Sequence, residues 1–348
     1  QSFPPIYNKK VKFYLPDTFS PSHEAYPKEL ETFQKFNLKI VTNNSGAIRG
    51  IRKIDIKYFF DCILNSSIRK RSILRILLQV ILEKFNPQFR RRRSLLQPHL
   101  TFDIYKRYLE KHKPDFSTFF TNHLAGMMHY YWLDVFPKDF VKPYRNPNIF
   151  NKKSVIKALD IADEQIGFLM RFAQLNSYQL WVASSMGQEA IERKKSQRIF
   201  LRDFPKMLKT LNLKNTSYKI LPSMYPDVNI ESDTEKNLNL LIKNFLSIKF
   251  LKNNQSIFEI RYKNNPNKVN LIFTSNFNKE EFFFYKGKKI KIEDFGLEYG
   301  IIEQGTGYHI PQGVLLTHGK SSKTIFKDLK KLDTKKVFNY ILKLFDKI

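Results

Sequence analysis

The residues placed to do chemistry in this chain are polar groups that follow stretches of strand character. Phe116 to Thr121, rich in Phe and Thr, reads as a short strand that the chain leaves at Asn122. Gln179 to Ser184 is a compact apolar run of strand length, and Ser184-Ser185-Met186-Gly187 turns immediately after it. In doubly wound sheets the functional groups collect at the carboxyl ends of parallel strands. Asn122 and the Ser184–Gly187 turn, with the Ser185 hydroxyl, are therefore candidates for one shared substrate-binding crevice. Other chemistries lose support. The single cysteine, Cys62, excludes an internal disulfide and leaves no basis for a cysteine-built zinc site. Gly305-Thr306-Gly307 lacks the third, helix-opening glycine of a dinucleotide fingerprint, and neither a Gly-x-Ser-x-Gly elbow nor a phosphate-binding P-loop is present.

Helices must position these groups. From Pro21 to Phe36 the apolar residues Leu30, Phe33 and Phe36 predict a short amphipathic helix, and residues 55 to 85 predict another. In the latter, Ile73, Ile76, Leu77, Val80, Ile81 and Phe85 form the expected core face, with Arg75 among the polar positions. A further helix is expected from Thr101 to Lys111, ended by Pro114. Lys153 to Gln174 carries the strongest helical pattern, with Val155, Ala158, Leu159, Ala162, Ile166, Leu169 and Phe172 on one face. Asp160 and Asp163 flank that face and read as surface groups. Asn122 to Trp132 reads as a polar-aromatic loop. From Ile199 to Phe295 the rhythm changes to Asn- and Lys-rich loops, strands at Ser256–Tyr262 and Val269–Thr274, and a helix from Glu235 to Phe250. This is expected to be an inserted α+β subdomain, giving a division into 1–198, 199–295 and 296–348. A strand at Gly313–Leu316 and a Lys-rich helix from Ser322 close the chain.

The 348 residues, 42% apolar and 15% aromatic, demand a packed globular fold rather than disorder. A formal charge of +28 invites a polyanion, a phosphate-rich substrate or an acidic membrane surface, although Lys spread evenly beside Asn, Ile and Phe is also what codon bias produces. Arg90-Arg91-Arg92-Arg93, near Arg69, Lys70, Arg71 and Arg75, offers a phosphate-binding patch against the plainer reading of a solvated helix end. No specific nucleic-acid module accompanies it. No apolar run reaches the length of a transmembrane helix. Gln1 to Pro5 reads as a loop already inside a domain, so an N-terminal segment is expected upstream, and the compartment is left undetermined.

Three segments, in order, resemble the alkaline-phosphatase superfamily, close to its type I phosphodiesterase/nucleotide pyrophosphatase branch. They are Pro114-Asp115-Phe116 through Asn122-His123-Leu124-Ala125-Gly126-Met127-Met128-His129; Ala183-Ser184-Ser185-Met186-Gly187-Gln188, where the family writes Ser-Asp-His-Gly; and Gly305-Thr306-Gly307-Tyr308-His309-Ile310-Pro311-Gln312-Gly313-Val314, similar to the family's Gly-x-His-x-x-x-Gly stretch.

The resemblance implies an α/β fold: a doubly wound, mostly parallel sheet flanked by helices, with the α+β subdomain inserted as a cap. It implies hydrolysis of phosphate mono- or diesters or of sulfate esters on an anionic small-molecule or glycan substrate. It also implies a divalent metal, usually zinc, held by carboxylates and neutral imidazoles. His309 matches the family's metal-ligand histidine; His123 and His129 are the available substitutes, and Asn122 stands where the family has Asp. His123 and His129 are six residues apart, so their convergence depends on the path of the chain. Ser185-Met186 in place of Asp-His leaves the standard two-metal site incomplete, because neither hydroxyl nor thioether suits a hard divalent cation. The nucleophile is expected upstream of Gln1. Two other readings stand beside this one: a catalytically degenerate binding protein on the same fold, and a basic nucleic-acid-binding protein.

Overall fold

The computed structural model describes residues 10–17, 20, 22–44, 68–192, 196–221, 223, 227–274, 277–302, 305–321 and 331–345. In chain order, helices α1 (Leu30–Asn44), α2 (Lys70–Phe85), α3 (Gln97–His112), α4 (His123–Val135) and α5 (Ile149–Asn176) precede strands β1 (Leu180–Ser184), β2 (Gly187–Ala190) and β3 (Ser196–Leu201). Helix α6 (Phe204–Thr210), strands β4 (Lys219–Leu221) and β5 (Val228–Glu231) and helix α7 (Glu235–Leu246) follow. The strands continue as β6 (Lys249–Phe250), β7 (Phe258–Asn265), β8 (Lys268–Phe273), β9 (Phe282–Tyr285), β10 (Lys288–Lys291), β11 (Leu297–Ile302), β12 (Gly307–Ile310) and β13 (Val314–His318), before helix α8 (Val337–Lys343). The expected helical residues 55–67, the start of the Ser322 helix, Cys62 and the Gln1–Pro5 loop lie outside the described residues.

The chain therefore mixes α and β structure, but every strand pairing among the described residues is antiparallel, in a four-stranded sheet β4-β5-β8-β7, a three-stranded sheet β10-β9-β6 and the pairs β1-β13, β2-β12 and β3-β11. The mostly parallel, doubly wound sheet that the resemblance implies is not among them. Connection length explains part of this. Only Pro266 and Asn267 separate β7 from β8, and Lys286-Gly287, both with positive φ, join β9 to β10. Two-residue links close hairpins; a parallel pair needs a crossover of a dozen residues or more.

The chain divides into two compact units, residues 1–66 with 195–303 and residues 67–194 with 304–348. The boundaries at 194/195 and 303/304 lie four and eight residues outside those expected for the insertion, and residues 1–66, expected to belong with the core, group with the inserted segment instead. The core of that first unit is built by β3, β5, β7, β8, β9 and β11 with α6 and α7, around Ile199, Phe204, Leu241, Phe245, Leu271, Phe283 and Phe295. Helix α7 is started by the Thr234 hydroxyl, which accepts from Asn237 N at 3.2 Å, and it buries Leu238, Leu241, Ile242 and Phe245, the i, i+3, i+4, i+7 stripe of a core-facing helix.

In the second unit, α5 is longer at both ends than its sequence pattern; Asn148 caps its start by accepting from Phe150 N and Asn151 N, and Ser177, in the left-handed region, closes its end. Val155, Ala158 and Ile161 pack against Met127 and Tyr131 of α4 and against Leu95. Helix α4 occupies the stretch expected to be a loop, and Phe116 to Thr121, expected to be a strand, is irregular. The aromatic and methionine content of 122–132 conceals a helical face: Leu124, Met127, Met128 and Tyr131 recur at three and four and contribute to that cluster.

Two members of the arginine run, Arg92 and Arg93, are half-buried and tied to neighbouring elements, while Arg91 is exposed. Residues 87–95 form a 3-10 helix beside α2. Arg93 pairs with Glu83, Nε donating at 2.9 and 2.8 Å, and Arg92 donates to Ser154 Oγ at 2.8 Å and Phe150 O at 3.1 Å while its guanidinium covers the Phe150 ring at 4.0 Å.

A titratable contact ties α2 to α3. Arg75 donates to His99 Nδ1 at 2.7 Å and to Glu164 at 2.8 Å. Burial, followed by the Arg75 charge, lowers the His99 pKa from 6.5 to about 4. Because the folded pKa is depressed, protonation favours the unfolded chain between pH 6.5 and about 4, and stability must fall with pH over that window. Allowing for partial exposure to water, the loss is about 2 kcal/mol. Urea denaturation at pH 7 and pH 4.5 is expected to show this increment in the wild type and not in His99→Gln, which has nothing to protonate there; parallel pH profiles for the two would contradict it.

Candidate functional site

Strands β1 and β2 run against β13 and β12 as one ribbon with a break in the middle. Ser184 pairs with Val314 and Gly187 with Ile310, so Ser185-Met186 on one side face Pro311-Gln312-Gly313 on the other. That extra residue is a bulge, which bends a ribbon and re-aims its side chains. Glycine is required at its centre: a Cβ on Gly313 would lie 1.9 Å from Ser184 O, and one on Gly187 2.6 Å from Gln312 O. Ser184 Oγ turns back onto Met186 O, while Ser185 and Met186 are exposed at the turn.

Helix α4 lies on β12 and β2, and Gly305-Thr306-Gly307 makes that approach possible. A Cβ on Gly305 would be 2.0 Å from His129 O, and one on Gly307 2.6 Å from Met128 O. Between the two glycines, the fully buried Thr306 inserts into the helix: its Oγ1 accepts from Leu133 N at 3.0 Å and donates to Tyr130 O at 3.3 Å. The helix is correspondingly broken at Tyr131, whose φ and ψ of −127° and 22° are not helical. A side chain that enters the i to i−4 ladder kinks a helix in this way.

The close approach brings His129 to His309. Their Nε2 atoms are 3.1 Å apart and the rings are nearly perpendicular, with centroids 4.4 Å apart. His129 Nδ1 is 2.8 Å from Gly307 O, which only accepts, so Nδ1 carries the proton and Nε2 of the neutral ring presents a lone pair toward His309. Two arrangements satisfy that lone pair. His309 Nε2–H donates to it, or a cation sits where both lone pairs meet. Tetrahedral zinc with bonds of about 2.0–2.1 Å places two ligand nitrogens about 3.3 Å apart, close to the separation seen. A backbone carbonyl fixing the tautomer of a ligand histidine is the usual outer-shell support.

Gln188 stands opposite His309 in the β2–β12 register, and directly paired residues share a face of the ribbon. Its Nε2 donates to Ala125 O at 3.0 Å, whereas Oε1 is buried without a hydrogen-bond partner. A buried unpaired carbonyl oxygen is costly to keep, and it is a hard donor of the kind a divalent cation accepts. By donor type and spacing, the two imidazole nitrogens fit a cation. Among the described residues, no group of three or more His, Cys, Asp or Glu is placed to hold one.

The remaining sequence candidates lie apart from the pair. His123 is buried: its Nε2 donates to Ala158 O at 3.1 Å, its Nδ1 accepts from Thr121 Oγ1 at 2.7 Å, and burial pushes its pKa down. Both ring nitrogens are thus occupied, and on a helix a residue six positions away points to a different face from His129. Asn122 is at the start of α4, about 10 Å from His129 along the helix axis. Ser185 is on the bulge turn, two residues before Gly187. Gln188 and Thr306 were missed by sequence reasoning. Gln188 follows a Gly at strand spacing, and Thr306 sits between two glycines, but no composition signal marks either. Compared with known proteins, the chain matches no family model, no curated protein and no solved structure.

Proposed function

We propose that the second unit binds a divalent cation between His129 and His309 and that the protein hydrolyses phosphate or sulfate esters, as the alkaline-phosphatase superfamily does. The observation that carries this reading is the imidazole pair, with Nε2 atoms 3.1 Å apart and the His129 tautomer fixed by Gly307 O. Support comes from convergence. The three segments that resemble the superfamily are far apart in sequence, yet α4 packs on β12 and β2, Gln188 registers with His309 and Ser184 with Val314. The cation would polarise an ester oxygen, His129 and His309 would hold it, and Gln188 Oε1 would supply a neutral oxygen donor.

The full chain, supplied with zinc, manganese or magnesium, is expected to cleave members of a panel of aryl phosphate and sulfate mono- and diesters, with activity lost in His129→Ala and His309→Ala. Activity that persists in both variants, or none in the wild type with any metal, would overturn the hydrolase reading. A degenerate binding protein on the same fold is favoured by one specific observation: Ser185 and Met186, exposed on the bulge turn where the superfamily writes Asp-His, offer no carboxylate or imidazole.

A further inference from the structure

Helix α2 is packed inside out. Its buried residues are Ser72, Gln79 and Glu83, whereas Leu74, Leu78, Ile81 and Phe85 are 56%, 50%, 52% and 81% exposed and follow one another at spacings of four, three and four. The sequence pattern predicts the opposite, with Leu77, Ile81 and Phe85 in the core. The inversion has a local cause. The 3-10 helix at 87–95 presents Arg93 to α2, and Glu83 is turned inward to pair with it, with Gln79 donating to Glu83 Oε1 at 3.0 Å and to Phe89 O. A buried carboxylate such as Glu83 needs a cationic partner more than a leucine needs a core.

The outward stripe runs about 16 Å from Leu74 to Phe85. Its borders are basic: Lys70 and Arg71 at the start and Lys84 near the end are exposed. The only acid on the helix is the buried Glu83, and a single Glu164 serves both Arg71 and Arg75.

We propose that this face of α2 is a membrane-surface anchor that lies in the interfacial layer of an anionic bilayer, its leucine, isoleucine and phenylalanine side chains among the acyl chains and its basic borders on the lipid headgroups. Charge selects this occupant. A second copy would set Lys70 and Lys84 against their own kind with no exposed acid on α2 to answer them, and an uncharged apolar partner would leave them unused. An anionic headgroup layer answers both the stripe and its borders, and the chain's +28 charge acts in the same direction. No helix of the described residues is long and apolar enough to cross a membrane, so the contact is one of lying on the surface.

Flotation of the full chain with phosphatidylcholine vesicles, with and without about one third phosphatidylserine, tests the proposal. Binding is expected to the anionic vesicles, with a loss of about tenfold or more in L78E/I81E, whose substituted positions are solvent-facing and whose circular dichroism should match the wild type. Absence of binding to anionic vesicles overturns the proposal. So does binding that salt abolishes and L78E/I81E leaves unchanged, which would be polyanion attraction by the charge of the chain at large. A wild-type dimer by light scattering that L78E/I81E makes monomeric, without vesicle binding, would assign the face to a second copy instead.

Discussion

Gly305→Ala is expected to destabilise the second unit by about 3 kcal/mol or more, because the added methyl would meet the His129 carbonyl oxygen 2.0 Å away and neither backbone can yield without separating β12 from α4. The same substitution one turn earlier in that helix has the opposite sign. A Cβ on Gly126 meets nothing within 4 Å, so Gly126→Ala should stabilise by roughly 0.5–1 kcal/mol through helix propensity. Urea denaturation of the two variants measures both effects. Equal effects would mean that the close approach of Gly305 to His129, and with it the basis for the histidine pair, is not present in solution.

The second large effect is expected at Arg145. Its guanidinium grips Asp134 with two hydrogen bonds of 2.6 Å, and the same carboxylate accepts from Asn148 N at 2.6 Å, where α5 is capped. The Asp134 side chain has no exposure to water. Arg145→Ala strands that charge in the interior at the junction of α4 and α5, and a loss of about 3–5 kcal/mol is expected. By contrast, Arg202 and Glu298 are 38% and 49% exposed, and Arg202→Ala should cost less than about 1 kcal/mol despite a comparably short contact. Thermal or urea unfolding distinguishes the two cases; similar losses would show that burial does not decide the strength of these pairs.

What the sequence makes legible follows from which force dominates each segment. Helices α5 and α7 are readable because their apolar stripes face cores of their own units, and their caps, Asn148 and Thr234, are of the residue types that begin helices. The periodicity of α2 is equally visible, but an apolar stripe shows which side of a helix is greasy and not what lies against it; Glu83 and Arg93 are ten residues apart, and only the fold reveals that their pairing turns the helix over. Helix α4 is hidden by its histidines and tyrosines, and by a kink that depends on Thr306, distant in sequence. Strand direction is the least legible property. β1 and β13 read correctly as strands, yet their antiparallel pairing is set by a partner more than a hundred residues away and by the bulge between Ser184 and Val314. Of the candidate site, the resemblance places His129 and His309 in the same chemistry, and the structure brings them together; it leaves His123 bonded to Ala158 O and Asn122 two helical turns away.

The imidazole pair also sets a proton balance. A cation shared by His129 and His309 requires both nitrogens as lone-pair donors, so protonation of either ring competes with the metal and binding must weaken at acid pH. The most direct measurement is cobalt(II) titration of the metal-stripped full chain at neutral pH, followed by visible absorption and calorimetry. Saturable binding with a ligand-field spectrum, lost in His129→Ala and in His309→Ala and retained in His123→Gln, is the result predicted. No binding, or binding unchanged in both variants, would contradict the cation site and leave the two histidines as a hydrogen-bonded pair between helix and strand.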